Sequence, residues 1–157
     1  MNRAHKPAML LIGLAAVLAA GSVAYTQGPV QLLPDDIKWA DYPALPPGGQ
    51  TARLAGDPGK AGPFAFRFKM SADYKIMPHT HPEDRMYTVI SGTLYVGVGD
   101  KFDATKLKAY PQGSFYVMPA KVSHFYWAKS GETIAQVNAI GPTSIDYLDP
   151  ADDPRKK

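Results

Sequence analysis

Apolar and polar residues alternate with a period of two through much of the second half of the chain. Phe64, Phe66, Phe68 and Met70 are interleaved with Ala65, Arg67 and Lys69, the pattern of a half-buried strand with its aromatic face inward. Similar short runs predict strands over residues 76–81, 86–90, 93–98, 115–118, 122–128 and 133–140. Ser91-Gly92 reads as the tight turn of a hairpin, and Pro111-Gln112-Gly113 as another turn. Beyond the N-terminal segment, the only helical reading is a short one over residues 102–110, centred on Asp103–Tyr110. Roughly seven or eight short strands broken by turns predict an all-β sandwich or barrel. No internal repeat is visible.

The flanks carry a different pattern. Arg3, His5 and Lys6 precede an apolar run from Ala8 to Ala20, and Ser22-Val23-Ala24 supplies a small-x-small end. This predicts a signal peptide over residues 1–24, cleaved after Ala24, and so a secreted or periplasmic protein. Even taken to Ala24 the run is at the short limit for a membrane span of roughly 20 residues, so no stable span is expected after cleavage. Residues 25–62 read as an extended lead-in in which Pro43, Pro46 and Pro47 exclude a long helix. Residues 63–141 form the barrel, and residues 142–157 a polar tail, lying over the barrel or frayed.

Composition narrows the function classes. Gly and Pro together make 29 of 157 residues, fewer than disorder requires, and they fall between apolar runs as turns do. The absence of cysteine excludes disulfides and a lipid-modified cysteine. The net charge of +3 falls to +1 without Arg3 and Lys6 of the leader. No basic stripe then remains for nucleic acid, and a small molecule or an ion is the expected partner.

Histidine is scarce: there are four, and His5 belongs to the leader. The others are His79 and His81, in Pro78-His79-Thr80-His81-Pro82-Glu83-Asp84-Arg85, and His124, behind Gly113 and Pro119. Residues i and i+2 of a strand share a face, so His79 and His81 point the same way. A third imidazole from a neighbouring strand completes a facial set suited to a divalent transition metal. If the histidines face inward, Arg85, Tyr87 and Val89 do too, and His124 shares its face with Val122 and Tyr126. Phe125 and Trp127 then point outward. Gln136 and Asn138 either line the pocket or face solvent on an edge strand.

These segments resemble the two sequence motifs of the cupin superfamily. His79, His81 and Gly92 match the first, with Arg85 at its glutamate position. Gly113, Pro119 and His124 match the second, with Lys121 replacing a glycine and Ala128 an asparagine. The resemblance spans residues 64–140 and implies a double-stranded β-helix, or jelly-roll barrel, with a metal-capable pocket in its mouth. It implies His79, His81 and His124 as ligands of iron, manganese, zinc, nickel or copper, and a homodimer paired along a sheet edge.

Arg85 is the departure with chemical consequences, because a guanidinium within about 5 Å repels a cation by a few kcal/mol. It can swing aside to pair with Glu83 or Asp84, or hold a substrate carboxylate. Alternatively, Glu83 or Asp84 supplies a fourth ligand through a shifted turn. Tyr87 and Tyr126 are the candidate proton-transfer residues. The sequence leaves three functions open: a metal-dependent dioxygenase or isomerase of a small molecule, a non-catalytic cupin that binds or senses a ligand or metal, and a structural barrel engaged in oligomerisation.

Overall fold

The computed structural model describes residues 28–157, and the predicted signal peptide lies outside the described residues. In chain order the strands are β1 (Ala40–Asp41), β2 (Gly49–Ala55), β3 (Gly62–Met70), β4 (Lys75–Thr80), β5 (Arg85–Ser91), β6 (Thr93–Val98), β7 (Lys108–Pro111), β8 (Phe115–Met118), β9 (His124–Trp127), β10 (Thr133–Gly141) and β11 (Asp146–Tyr147). They form two sheets, ordered β1-β2-β3-β10-β5-β8 and β11-β4-β9-β6-β7, with every strand pair antiparallel. The expected all-β jelly roll is the architecture found. No helix among the described residues is long and apolar enough to cross a membrane.

The period-two pattern becomes rows of side chains across the larger sheet. Arg53, Phe66, Val137, Tyr87 and Tyr116 stand in register on its inner face, and Phe64, Ala139, Arg85 and Met118 form the next row. On β10 the inward positions are the small residues Ala135, Val137 and Ala139, which leaves room between the aromatic rings of β3 and β5. Burial of side chains such as Met70, Leu94 and Val89 stabilises the barrel by about 1.5–3 kcal/mol each. The outward Phe125 is also fully buried. It lies over Gly97, where a Cβ would sit 2.2 Å from the ring, and is covered by Phe102 with centroids 5.0 Å apart.

Several expectations are revised. The stretch over 102–110 is not a continuous helix. A single 3-10 turn, Ala104–Lys106, is capped by Asp103, which accepts from the Thr105 amide at 2.9 Å. Its continuation pairs with β6, so the open sheet edge outcompetes local helix propensity. The lead-in contains a full strand, β2, whose half-buried Thr51 and exposed Arg53 line the cavity mouth. A strand with polar residues on its cavity side lacks the usual alternation signal. Of the two placements expected for the tail, it takes the one against the barrel: β11 pairs with β4, and Arg155, clamped by Asp153 at 2.7 Å, donates to the Ile145 carbonyl at 2.9 Å. Gln136 and Asn138 face outward, but on the central strand β10 and not at an edge. Gln136 accepts from Arg67 Nε at 3.1 Å and donates to Asn138 at 3.2 Å.

Candidate metal and ligand site

The three histidines meet inside the barrel mouth through an irregularity of β4. Ile76 pairs with Tyr126 and His79 with His124, so three steps on β4 match two on β9. This extra residue, at Met77-Pro78, is a bulge. It turns both Ile76 and His79 inward although strict alternation would separate them. His79 and His124 then sit directly opposite, with ring centroids 4.3 Å apart, and His81 is 4.9 Å from His79 and 5.1 Å from His124. All three are buried.

Their orientation is set by the main chain. The Nδ1 atoms of His79, His81 and His124 lie 2.8, 2.7 and 2.8 Å from the carbonyl oxygens of Met77, Ser144 and Val122. A carbonyl only accepts, so each Nδ1 carries the proton and each Nε2 keeps its lone pair. The Nε2 atoms of His81 and His124 are buried and have no hydrogen-bond partner. One ring nitrogen from each residue falls within 4.8 Å of the other two. Burial pushes His124 down to about 4. His79 is driven well below the usual histidine range by burial and by His124, and His81 is lowered by burial and by Arg85. Three neutral, preoriented imidazoles, two of them with orphaned Nε2 atoms, fit a divalent transition metal.

The carboxylates of the first segment are engaged elsewhere through one oxygen each, and Glu83 Oε2 is buried without a hydrogen-bond partner among the described residues. Glu83 Oε1 accepts from Arg85 Nε at 2.7 Å and from the Thr143 hydroxyl. Asp84 accepts from the Ala120 amide at 2.7 Å, tying the first histidine segment to the loop before His124. The metal-capable group among the described residues comprises the three histidines alone. Arg85 is turned toward Glu83 while still lining the cavity. Its Nη2 donates to the Thr143 hydroxyl and, at 3.3 Å, to the Ser144 carbonyl. Burial works against its charge, but Tyr87 and Glu83 hold its pKa above the ordinary value. The cation therefore arrives with its own counterion, which offsets the repulsion that a lone arginine would exert on a metal.

Lys121, at the position of the motif glycine, has φ +62°, the left-handed conformation glycine would adopt freely. Its amide donates to the His81 carbonyl at 2.8 Å, so the loop keeps its shape despite the residue change.

Beside the histidines lies a cavity of about 120 Å³, room for several waters or a compact molecule. Its walls include Leu45, Phe66, Phe68, Ile76 and Ile145, together with Tyr87 and Tyr126. The Tyr126 ring is 5.1 Å from His124 and 5.6 Å from His79, and burial raises its phenol well above the usual range. Its hydroxyl is 3.4 Å from that of Tyr116. Sequence reasoning missed Thr143, Ser144 and Ile145, which close one wall and fix both His81 and Arg85. No local signal in a Pro-containing polar tail marks them.

No family model matches the chain, and no curated protein matches it. Solved structures do. The polyketide cyclase RemF from Streptomyces resistomycificus superposes with a TM-score of 0.65 at 16% identity, over 80% of this chain and 89% of that one. The DMSP lyase DddQ from Ruegeria pomeroyi gives 0.59 at 16% identity, over 73% and 62%. An RmlC-like cupin from Shewanella frigidimarina gives 0.53 at 15% identity, over 70% and 89%. With two antiparallel sheets closed around an inward histidine trio, this chain has the fold of the cupin superfamily.

Proposed function

We propose that this protein is a secreted or periplasmic cupin that holds one divalent transition metal through the Nε2 atoms of His79, His81 and His124. It would present the metal to a small molecule in the barrel mouth, as a dioxygenase or isomerase. The observation that carries this reading is the histidine trio itself: every Nδ1 is tied to a carbonyl, and the Nε2 atoms of His81 and His124 are buried without a protein partner. RemF, a polyketide cyclase, and DddQ, a DMSP lyase, share the fold; fold alone does not transfer their reactions.

The bound metal supplies Lewis acidity or a redox centre. The chain supplies the rest. Phe66, Phe68 and Ile76 exclude water from the reacting molecule, and Arg85 is held rigid by Glu83, Thr143 and Ser144. Tyr126 remains a phenol, an O–H donor for negative charge that develops near the histidines. The leader residues Arg3 and Lys6 and the apolar run behind them support export. Exposed Met86, Phe115 and Val117 beside the edge strand β8 support a homodimer paired there.

A second reading, a binding or sensing barrel without turnover, is favoured by one observation: no carboxylate is among the described residues lining the cavity, so none of them offers a ready general base to a ligand. Oxygen uptake and product formation across a panel of small carboxylates, in metal-loaded and chelator-stripped protein, separate the two. Turnover that disappears on chelation and returns with one metal supports the enzyme. Tight ligand binding with no turnover in any metal form supports the sensor, and turnover indifferent to chelation overturns the metal reading.

A further inference from the structure

We propose that the cavity selects a small carboxylate with a compact apolar or aryl body, bound between the Arg85 guanidinium, the Tyr87 hydroxyl and Arg53; the proposal names the substrate class of the site just described and rests on that reading.

Two polar groups in the wall are fixed and unused. Arg85 spends Nε on Glu83 and Nη2 on Thr143 and Ser144, and its Nη1 has no acceptor among the described residues. These bonds lock the plane of the guanidinium, which lies over the Phe66 ring at 5.8 Å. The Tyr87 hydroxyl is buried beside the Arg85 guanidinium and has no acceptor for its own proton among the described residues. Its ring stacks on Tyr116 at 4.6 Å with only 4° between planes, so it cannot rotate away to find one. Both residues line the cavity, and both have N–H or O–H hydrogens to donate. A ligand that satisfies them must bring acceptors.

The charge of the wall selects among acceptors. Glu83 neutralises Arg85, and the histidines are neutral. Arg53 also lines the cavity, beside Phe66 in the same row, and has no ion pair among the described residues. The mouth thus carries the exposed positive charge of Arg53, offset only in part by Asp57 outside the lining, and no carboxylate among the described lining residues opposes it. A carboxylate matches this balance and the small donor set, since its two oxygens can accept from Nη1 and the phenol together. Leu45, Phe66, Phe68, Ile76 and Ile145 provide the apolar remainder, which favours a body without further polar groups.

The probes are benzoate and its neutral analogue benzamide, titrated calorimetrically into the full chain with and without metal. Benzoate is expected to bind about tenfold or more tightly than benzamide, in both metal states. Arg53→Gln weakens benzoate several-fold and leaves benzamide unchanged, an effect that shrinks as salt is raised, whereas Tyr87→Phe removes a donor that either probe can use and weakens both, benzoate the more. Neither substitution removes a buried ion pair, so both variants are expected to fold. No benzoate binding at millimolar concentration, equal affinity for the two probes, or variants that leave benzoate unaffected would overturn the proposal. Metal content measured in the same samples keeps the two readings apart. A benzoate preference without stoichiometric metal removes the metal site and leaves the anion pocket. Stoichiometric metal without that preference does the reverse.

Discussion

The two walls of the barrel mouth solve opposite electrostatic problems. On the β4–β9 wall, three imidazoles are kept neutral by burial, with each Nδ1 fixed to a carbonyl and each Nε2 offered inward. On the facing wall, Arg85 is kept charged despite burial because Glu83 and Tyr87 stabilise the cation. One wall presents lone pairs and the other presents hydrogens. A pocket with both can accept a cation on one side and an anion on the other, and Glu83 keeps the arginine from spoiling the first task.

Breaking the charged wall has the largest expected effect. Glu83→Ala leaves a buried guanidinium unpaired and should destabilise the fold by about 3–5 kcal/mol in denaturant titrations. The double variant Glu83→Ala/Arg85→Met should recover much of that loss. If Glu83→Ala unfolds like the parent, the pair is not the compensating element described.

The neutral wall is the one that responds to pH. Its histidines bind protons less readily folded than unfolded, so metal-free protein keeps its full stability above about pH 6.5. Stability falls as the pH drops from there through about 4, where His124 is the first of the three to take up a proton, and His124 alone accounts for a loss on the order of 3 kcal/mol. Stability that is flat across this window would mean that the imidazoles are already charged in the fold. His124→Ala should weaken metal binding by at least the roughly 10–100-fold that loss of a supporting residue costs, read by competition with a chromophoric chelator, whereas Tyr87→Phe on the other wall should leave it unchanged. The smallest effect concerns the loop that joins the walls. Lys121→Gly relieves a left-handed lysine and should stabilise the fold by about 1 kcal/mol, with metal affinity preserved.

The same contrast explains what the sequence made legible. The histidine wall could be read because strand parity is local: His79 and His81 share a face by spacing, and few other histidines compete for the role. Even there, the bulge at Met77-Pro78, which brings Ile76 onto the inner face with His79, left no trace in the alternation. Inward placement of Arg85, Tyr87 and Val89 followed from parity and is what the structure contains. The partners of Arg85 were less accessible. Glu83 is two residues away and was one of two candidates, but Thr143 and Ser144 are 58 and 59 positions distant and sit in a tail with no periodic signal. Strand β2 was invisible for a related reason: its cavity-facing residues are the half-buried Thr51 and the exposed Arg53 at the mouth, suited to the pocket and not to a hydrophobic core. Where a strand's inner face serves a ligand, the pattern that announces strands is weakest.

The most direct test is the metal content of the untagged chain by elemental mass spectrometry, beside His79→Ala. One equivalent of a divalent transition metal per chain, lost in the variant, is the result this account predicts. A substoichiometric content that stays the same in His79→Ala would contradict it.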